Sequence, residues 1–257
     1  MNHAEHNEQY LEQMSNPEKG EHARSLLDLI DLGTFDLELA AWFISHISQG
    51  ASYIFGSGPG GIGKTTTMRS MLSFVPANLR FVTALPDKIN EIDSNPHCVI
   101  SNELSDHTPP TYLWDQDVRD YFACSEKGHL LVGNVHADDA TEVYEQMVTT
   151  NQVPESQFRS ISILGFICLE GGNPKGGRIK DTTTRRVVNK VFYSDGSSDH
   201  ESVYSPEEGL LSNAPRNSAL EDECRSFLQE VLNTPERTLE GVRKRFLGSD
   251  LATTKNG

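Results

Sequence analysis

An α/β fold with a mainly parallel sheet is predicted by three features of the sequence. Five short apolar segments lie between residues 51 and 169, with helical segments after the first, third and fourth of them and a polar loop after the second, which is typical of βαβ units. A glycine-rich turn joins the first of these strands directly to a helix. The apolar segments 163–169 and 184–194 flank a second glycine-rich turn, so we expect them to pair as an antiparallel hairpin at one edge of the sheet.

Composition limits the function classes that fit the chain. Its 257 residues are 36% hydrophobic, which is enough to form a substantial core. The 22 basic and 37 acidic residues give a net charge of −15, and such a surface repels phosphate backbones, so no nucleic-acid binding is expected. Four cysteines are scattered without a C-x-x-C pair, and no signal peptide or membrane-length apolar run is visible. We therefore expect a cytoplasmic protein with reduced thiols.

The pattern along the chain predicts four regions. Residues 1–20 are polar and unpatterned and are expected to be a flexible lead-in. An α/β domain is predicted over 21–198, beginning with a helix that follows Thr34 and ends at Gly50. Residues 199–217 are rich in Ser, Pro and Asn and predict a linker. Apolar residues at helical spacing then predict a C-terminal helical appendage over 218–257, which most simply packs on the protein's own core.

The strand over 51–56 runs into Gly-Ser-Gly-Pro-Gly-Gly-Ile-Gly-Lys-Thr-Thr, which matches the phosphate-loop pattern G-x-x-x-x-G-K-[ST] at every fixed position. Glycines allow consecutive backbone N–H groups to curl around a phosphate, while Lys64 supplies charge and the Thr65 hydroxyl is a Mg²⁺ ligand. A chance match is disfavoured by the correct strand and helix on either side. The residues expected to bind nucleotide phosphates are Gly58, Gly60, Gly61, Ile62, Gly63, Lys64, Thr65 and Thr66.

Glu103 follows the predicted strand 97–101. Ligands of open parallel sheets bind beyond the carboxyl ends of the strands, so Glu103 is expected on the same edge as the phosphate loop. A carboxylate at that position suits Mg²⁺ and an attacking water. The alternative is an ordinary solvated acid, which the presence of Lys64 upstream disfavours.

Two histidines bracket the predicted strand 129–136. Their offset of seven residues places His129 and His136 on opposite faces and at opposite ends of that strand, so the two rings cannot share one metal. His136 lies at the carboxyl end, where it would reach the nucleotide edge. On these grounds alone a structural and a functional role for His136 remain equally open.

Three stretches resemble the ATPase domain of the type II and type IV secretion, pilus and archaellum motor ATPases, in particular its archaeal branch. They are the segment 29–42, the Asn-Glu-Leu-Ser-Asp sequence at 102–106, which is similar to a Walker B end, and the segment 128–138, which is similar to the family's histidine box. The resemblance spans about residues 25–195. It implies a RecA-like phosphate-loop NTPase fold, with ATP and Mg²⁺ as cofactors.

The resemblance also implies roles and partners. Lys64 and Thr65 would contact phosphate and Mg²⁺, Glu103 would activate water and share in Mg²⁺ binding, and His136 would sense the γ-phosphate. A homo-oligomer, a hexamer if the chain follows the family, and a protein partner or a membrane-embedded secretion platform would follow. The protein would then be cytoplasmic and peripheral to a membrane assembly.

Departures from the family pattern weaken the motor interpretation. The acidic box retains only Asp87, the segment between Asp87 and His97 is short, and about fifty residues precede the phosphate loop where the family has an N-terminal domain. Ser105 stands where arginine is usual. We therefore expect slow hydrolysis, with a catalytically weak nucleotide-binding regulator as the alternative. A small-molecule kinase is disfavoured because no lid-like arginine cluster is evident.

Overall fold

The computed structural model describes residues 2–15, 23–107, 110–174 and 178–252. Its α-helices in chain order, α1 to α9, are His3–Glu12, Leu26–Asp31, Leu37–Ile47, Lys64–Met71, Asp115–Ala123, Ala140–Tyr144, Glu155–Arg159, Ser218–Leu232 and Leu239–Leu247. Its strands, β1 to β8, are Tyr53–Gly56, Arg80–Thr83, His97–Ile100, Leu130–Val135, Ile163–Leu169, Arg186–Tyr193, Glu201–Ser205 and Gly209–Leu210.

The strands form one sheet in the order β2-β3-β4-β1-β5-β6-β7-β8. The pairs β3–β4, β4–β1 and β1–β5 are parallel, whereas β5–β6, β6–β7 and β7–β8 are antiparallel. Strands β1, β3 and β4 are completely buried, which is typical of parallel strands covered on both faces. The predicted mixed α/β sheet with an antiparallel extension is thus confirmed.

The chain divides into two compact units. The larger unit comprises Ala51–Thr65 and Val82–Ala214 and contains most of the sheet. Its apolar core is formed by residues of the strands and of α5, α6 and α7, with Tyr121, Phe122 and Phe166 among the bulkiest members. Burial of these rings contributes about 2 kcal/mol or more each to stability. The rigid core fixes the carboxyl ends of β1, β3 and β4.

The smaller unit comprises Met1–Gly50, Thr66–Phe81 and Pro215–Gly257. Helix α3 packs against α8, and α9 packs against α1 and against the 3-10 turn Leu72–Phe74. The Trp42 indole N–H donates to the Pro215 carbonyl at 2.9 Å, and Phe74, Phe227 and Phe246 meet edge to face. In the described part of the chain, no helix is both long enough and apolar enough to cross a bilayer.

The structure differs from the predicted regions in three places. Helix α1 lies within the expected lead-in, where a capping box at Asn2 and Glu5 starts it. Strands β7 and β8 lie within the expected linker 199–217, because Val203 and Tyr204 bury apolar surface that the polar composition concealed. Residues 218–252 belong to the smaller unit together with the N-terminal helices, so they do not form a separate appendage.

One helix also begins later than its sequence pattern suggests. Thr108-Pro109-Pro110 and Gly128 predict the start and the end of a single helix over 108–127, but α5 starts only at Asp115. Leu113 instead makes an isolated parallel bridge with Leu104, and its N–H donates to the Glu103 carbonyl at 3.0 Å. Residues Thr108 and Pro109, with which the predicted helix begins, lie outside the described residues.

Candidate functional site

The carboxyl ends of β1, β3 and β4 bring three predicted residues to one place. Glu103 follows β3, where the Leu104 N–H donates to the Asn134 carbonyl at 2.8 Å and the Leu113 N–H holds the Glu103 carbonyl. His136 follows β4 directly. Lys64 is the first residue of α4, which follows β1 after a seven-residue loop at 57–63. The backbone on both sides of the site is therefore fixed by the sheet.

The loop at 57–63 depends on its glycines. Gly61 and Gly63 have φ angles of +79° and +110°, a region in which side chains are strained. A Cβ at Gly61 would also lie 2.7 Å from the Ile179 carbonyl oxygen, while the Ile179 N–H donates to the Gly60 carbonyl at 2.9 Å. Ile62 is buried and anchors the loop. The backbone therefore curls as the motif requires, and the segment after Arg178 holds it from outside.

Lys64 and Glu103 form a buried ion pair. The Lys64 Nζ lies 2.8 Å from Glu103 Oε1, and the two side chains are only 6% and 7% exposed. The Lys64 ammonium also donates to the Ser57 carbonyl at 3.2 Å. Burial lowers the pKa of Lys64, and the Glu103 carboxylate, followed by Asp138, acts against that shift. The lysine is thus held at the loop by a carboxylate that a phosphate could replace.

His136 contacts both members of this pair. Its Nδ1 lies 3.0 Å from the Lys64 Nζ and 3.1 Å from the Gly58 carbonyl, and its Nε2 lies 3.5 Å from Glu103 Oε1. Nδ1 thus lies between a donor, the Lys64 ammonium, and an acceptor, the Gly58 carbonyl, and the tautomer of the ring decides with which of the two it forms a hydrogen bond. Gln146 fixes the residue by donating to its carbonyl at 2.7 Å. His136 is therefore positioned to respond when the ion pair changes.

Thr65 lies beside Asn134, a residue that the sequence analysis did not single out. The Asn134 side-chain amide donates to the Asn102 carbonyl at 3.0 Å and lies 3.5 Å from the Thr65 hydroxyl. Asn134 Oδ1 is buried and accepts no hydrogen bond. Asn134 and His136 are two residues apart in the predicted strand 129–136, so their shared face was a usable sequence signal. Thr66, also predicted to bind nucleotide, is the third residue of α4.

Asp138 is a second residue that the sequence analysis missed. Its Oδ1 accepts from the Gly58 N–H at 2.8 Å and from the Asn173 side-chain amide at 3.3 Å, and Lys190 donates to its carbonyl at 3.2 Å. A Cβ at Gly58 would lie 2.4 Å from Asp138 Oδ2, so only glycine permits this contact. A carboxylate of the protein itself thus accepts the hydrogen bond of one N–H group of the glycine-rich loop.

Other predicted positions lie away from this cluster. His129 stacks on His97 with ring centroids 5.5 Å apart at the amino ends of β3 and β4, as its offset from His136 predicted. Asp87, considered as a replacement for the acidic-box glutamate, donates its N–H to Asp117 of α5 at 3.0 Å. The described residues include no group of three or more His, Cys, Asp or Glu side chains arranged to hold a metal ion by themselves.

Several solved structures resemble the chain, and two of them are secretion-system proteins. One is the VirB11 ATPase from the Brucella suis type IV secretion system in complex with sulphate, with 19% identity and a TM-score of 0.41 over 65% of this chain and 54% of that one. The other is the Legionella pneumophila ATPase DotB, with 13% identity and a TM-score of 0.42 over 78% of this chain and 58% of that one. The chain therefore spans little more than half the length of either neighbour.

Comparison with protein families finds no match, and neither does comparison with curated proteins.

Proposed function

We propose that the chain binds MgATP at the loop 57–65 and hydrolyses it slowly. The observation that carries this proposal is the 2.8 Å contact between Lys64 and Glu103 at the carboxyl ends of parallel strands, with His136 beside it. A glycine-rich loop, a lysine, a hydroxyl and a carboxylate are the groups that phosphoryl transfer to water requires. Lys64, Glu103 and His136 belong to three separate sequence motifs, and they are adjacent in the fold.

In the proposed reaction, the N–H groups of the loop and the Lys64 ammonium bind the phosphates. Glu103 accepts a proton from a water whose oxygen attacks the γ-phosphorus. The bond between that phosphorus and the β–γ bridging oxygen breaks, and ADP leaves with the electron pair while inorganic phosphate forms. Lys64 must first leave Glu103 for the phosphates, because a carboxylate neutralised by an ammonium is a weak base. This exchange of partners supports the proposal of slow turnover.

The donor set fits Mg²⁺ only in the company of a nucleotide. Thr65 supplies a hydroxyl and Glu103 a carboxylate, and Mg²⁺ is commonly held by one or two protein oxygens together with phosphate oxygens and waters. When bound, the ion would neutralise charge on the β- and γ-phosphates. The Asn134 side-chain amide, whose Nδ2 lies 3.5 Å from the Thr65 Oγ1, would orient the Thr65 hydroxyl for this role.

Phosphate release from γ-labelled ATP by the full chain and by Glu103→Gln tests the function. We expect the substitution to lower kcat at least 100-fold and to leave MgATP affinity within about fivefold, because the base is lost while the loop, Lys64 and Thr65 remain and glutamine keeps an oxygen for Mg²⁺. Asp106→Asn is the matched control, since Asp106 is an exposed acid of the same loop that pairs with His107. Tight MgATP binding without turnover in the parent chain would instead support the nucleotide-binding regulator.

We also propose that the chain is related to the secretion and pilus ATPases and assembles as a homo-oligomer. The sequence resemblance at 102–106 and 128–138, with Glu103 and His136 both beside the loop, supports this relationship. Light scattering with and without MgATP tests the assembly. A hexamer would support a motor that acts on a protein partner or secretion platform. A monomer in both conditions would contradict the proposed assembly.

Asp138→Asn is expected to tighten binding of both MgATP and MgADP about threefold to tenfold. Asparagine can still accept from the Gly58 N–H, but it removes a negative charge that competes with phosphate at the loop. Isothermal titration calorimetry measures the change. Asp139→Asn controls for charge alone, because asparagine preserves the N-cap of α6. Unchanged or weaker binding in Asp138→Asn would contradict competition between this carboxylate and the ligand.

A further inference from the structure

The segment that holds the loop from outside carries an arginine. Arg178 forms an isolated parallel bridge with Gly60, and the next residue, Ile179, donates its N–H to the Gly60 carbonyl at 2.9 Å. Arg178 is therefore tied through the backbone to Gly60, the fourth residue of the loop. In sequence it is 120 residues from Gly58, and no motif marks it.

The first carbons of the Arg178 side chain lie beside Gly60 and Gly61. Its Cγ would lie 3.8 Å from a Cβ at Gly60 and 3.4 Å from one at Gly61. Larger residues at either position would therefore contact the stem of the arginine. Arg178 is exposed, so its guanidinium retains access to a ligand on the open face of the loop.

The charges of Arg178 and Glu103 both affect the pKa of Tyr112. Tyr112, next to the Leu113 that fixes Glu103, has a pKa raised by burial and then by the Glu103 carboxylate, while Arg178 acts in the opposite direction. The guanidinium and the carboxylate thus both act on one tyrosine hydroxyl.

The neighbouring arginines are engaged elsewhere. Arg185 pairs with Glu170, and Arg186 donates to the carbonyls of Asp181 and Thr184. By contrast, no ion pair joins Arg178 to a carboxylate within the described segments. Of these three arginines, Arg178 is the one whose backbone pairs with the loop.

We propose that Arg178 is the cationic group that this chain supplies in cis to the γ-phosphate during hydrolysis. The proposal rests on the proposed ATPase function and deepens it. A guanidinium at this position stabilises the charge that develops on the equatorial and bridging oxygens as the γ-phosphoryl group moves to water. Lys64, which is buried and shared with Glu103, and Arg178, which is exposed and tied to Gly60, would then contact the triphosphate from two sides.

Arg178→Ala and Arg178→Lys, compared with Arg185→Ala, test this role. Removing an arginine of this kind lowers the rate by orders of magnitude, so we expect kcat of Arg178→Ala to fall about 100-fold or more with MgADP affinity changed less than threefold. Arg178→Lys should have a kcat only slightly higher than that of Arg178→Ala, because an ammonium lacks the planar fork of donors of a guanidinium. Arg185→Ala should stay within twofold of the parent.

Binding of a non-hydrolysable ATP analogue keeps the two proposals distinguishable. Arg178→Ala should lose about tenfold in affinity for the analogue but not for MgADP. If the parent binds both nucleotides without turnover, hydrolysis fails as a proposal and this difference still tests whether Arg178 contacts the γ-phosphate. Equal losses for analogue and MgADP would show that Arg178 only supports the loop. Unchanged kcat and unchanged affinities would contradict the proposal, and a parent chain that binds neither nucleotide would contradict both.

Discussion

Lys64→Ala is expected to abolish detectable ATP hydrolysis and to weaken MgATP binding by about two orders of magnitude or more. The substitution removes the ammonium at the end of the loop, whose Nζ donates to the Ser57 carbonyl, and charge-assisted contacts to phosphate are among the stronger polar interactions. Phosphate release and calorimetric titration measure the two effects. Lys88→Ala, in an exposed turn of the same unit, is the control and should alter neither.

The same substitution should also destabilise the ligand-free protein. Removing one partner of a buried ion pair leaves an uncompensated charge and costs roughly 3–5 kcal/mol. Glu103 is 7% exposed on its side chain, so it would retain that charge in a poorly solvated position. We expect Lys64→Ala/Glu103→Gln to recover most of the lost stability without recovering activity. A double variant no more stable than Lys64→Ala in urea denaturation would contradict the stabilising role of the pair.

The parallel part of the sheet was predictable because its signals are local. Buried parallel strands are short apolar runs, and β1, β3, β4 and β5 each read that way in the sequence. Strand β7 was missed because only Val203 and Tyr204 are buried between polar neighbours. Helix α5 was placed too early because the pairing of Leu113 with Leu104 is a long-range contact that no local pattern encodes.

Some residues of the candidate site were also predictable from local sequence, and others were not. Gly58, Lys64 and Thr65 follow a spacing that physics imposes on a phosphate loop, and Glu103 and His136 were placed by the rule that ligands bind at carboxyl ends of strands. Asp138 and Arg178 reach the loop only through folding, at sequence separations of 80 and 118 residues from Gly58 and Gly60. The sequence thus predicted the residues that meet at the loop from local spacing and strand ends, and the structure adds Asp138 and Arg178, which contact the loop only in the folded chain.

Arg243→Ala is expected to cause the largest loss of stability in the smaller unit. Arg243 is 2% exposed, and its Nη1 donates to the carbonyls of Leu72 at 3.2 Å and Val75 at 2.8 Å at the end of the 3-10 turn. Its guanidinium also lies 4.9 Å from the centre of the Phe81 ring. Losing Arg243 removes the side-chain donor to both carbonyls, of which, among the described residues, only that of Leu72 also accepts from a backbone N–H, that of Val75. Together with the lost packing, we expect a decrease of about 3–5 kcal/mol in the free energy of unfolding.

Two further variants separate packing from hydrogen bonding at this position. Arg243→Met retains much of the side-chain volume but donates nothing to the turn, so its stability should lie between those of Arg243→Ala and the parent. Arg245→Ala removes an exposed guanidinium from the same helix and should change stability by less than about 0.5 kcal/mol. Urea denaturation followed by circular dichroism measures all three. If Arg243→Met were as stable as the parent, the carbonyls of the turn would not need the donor, and α9 would be held to the turn by apolar packing alone.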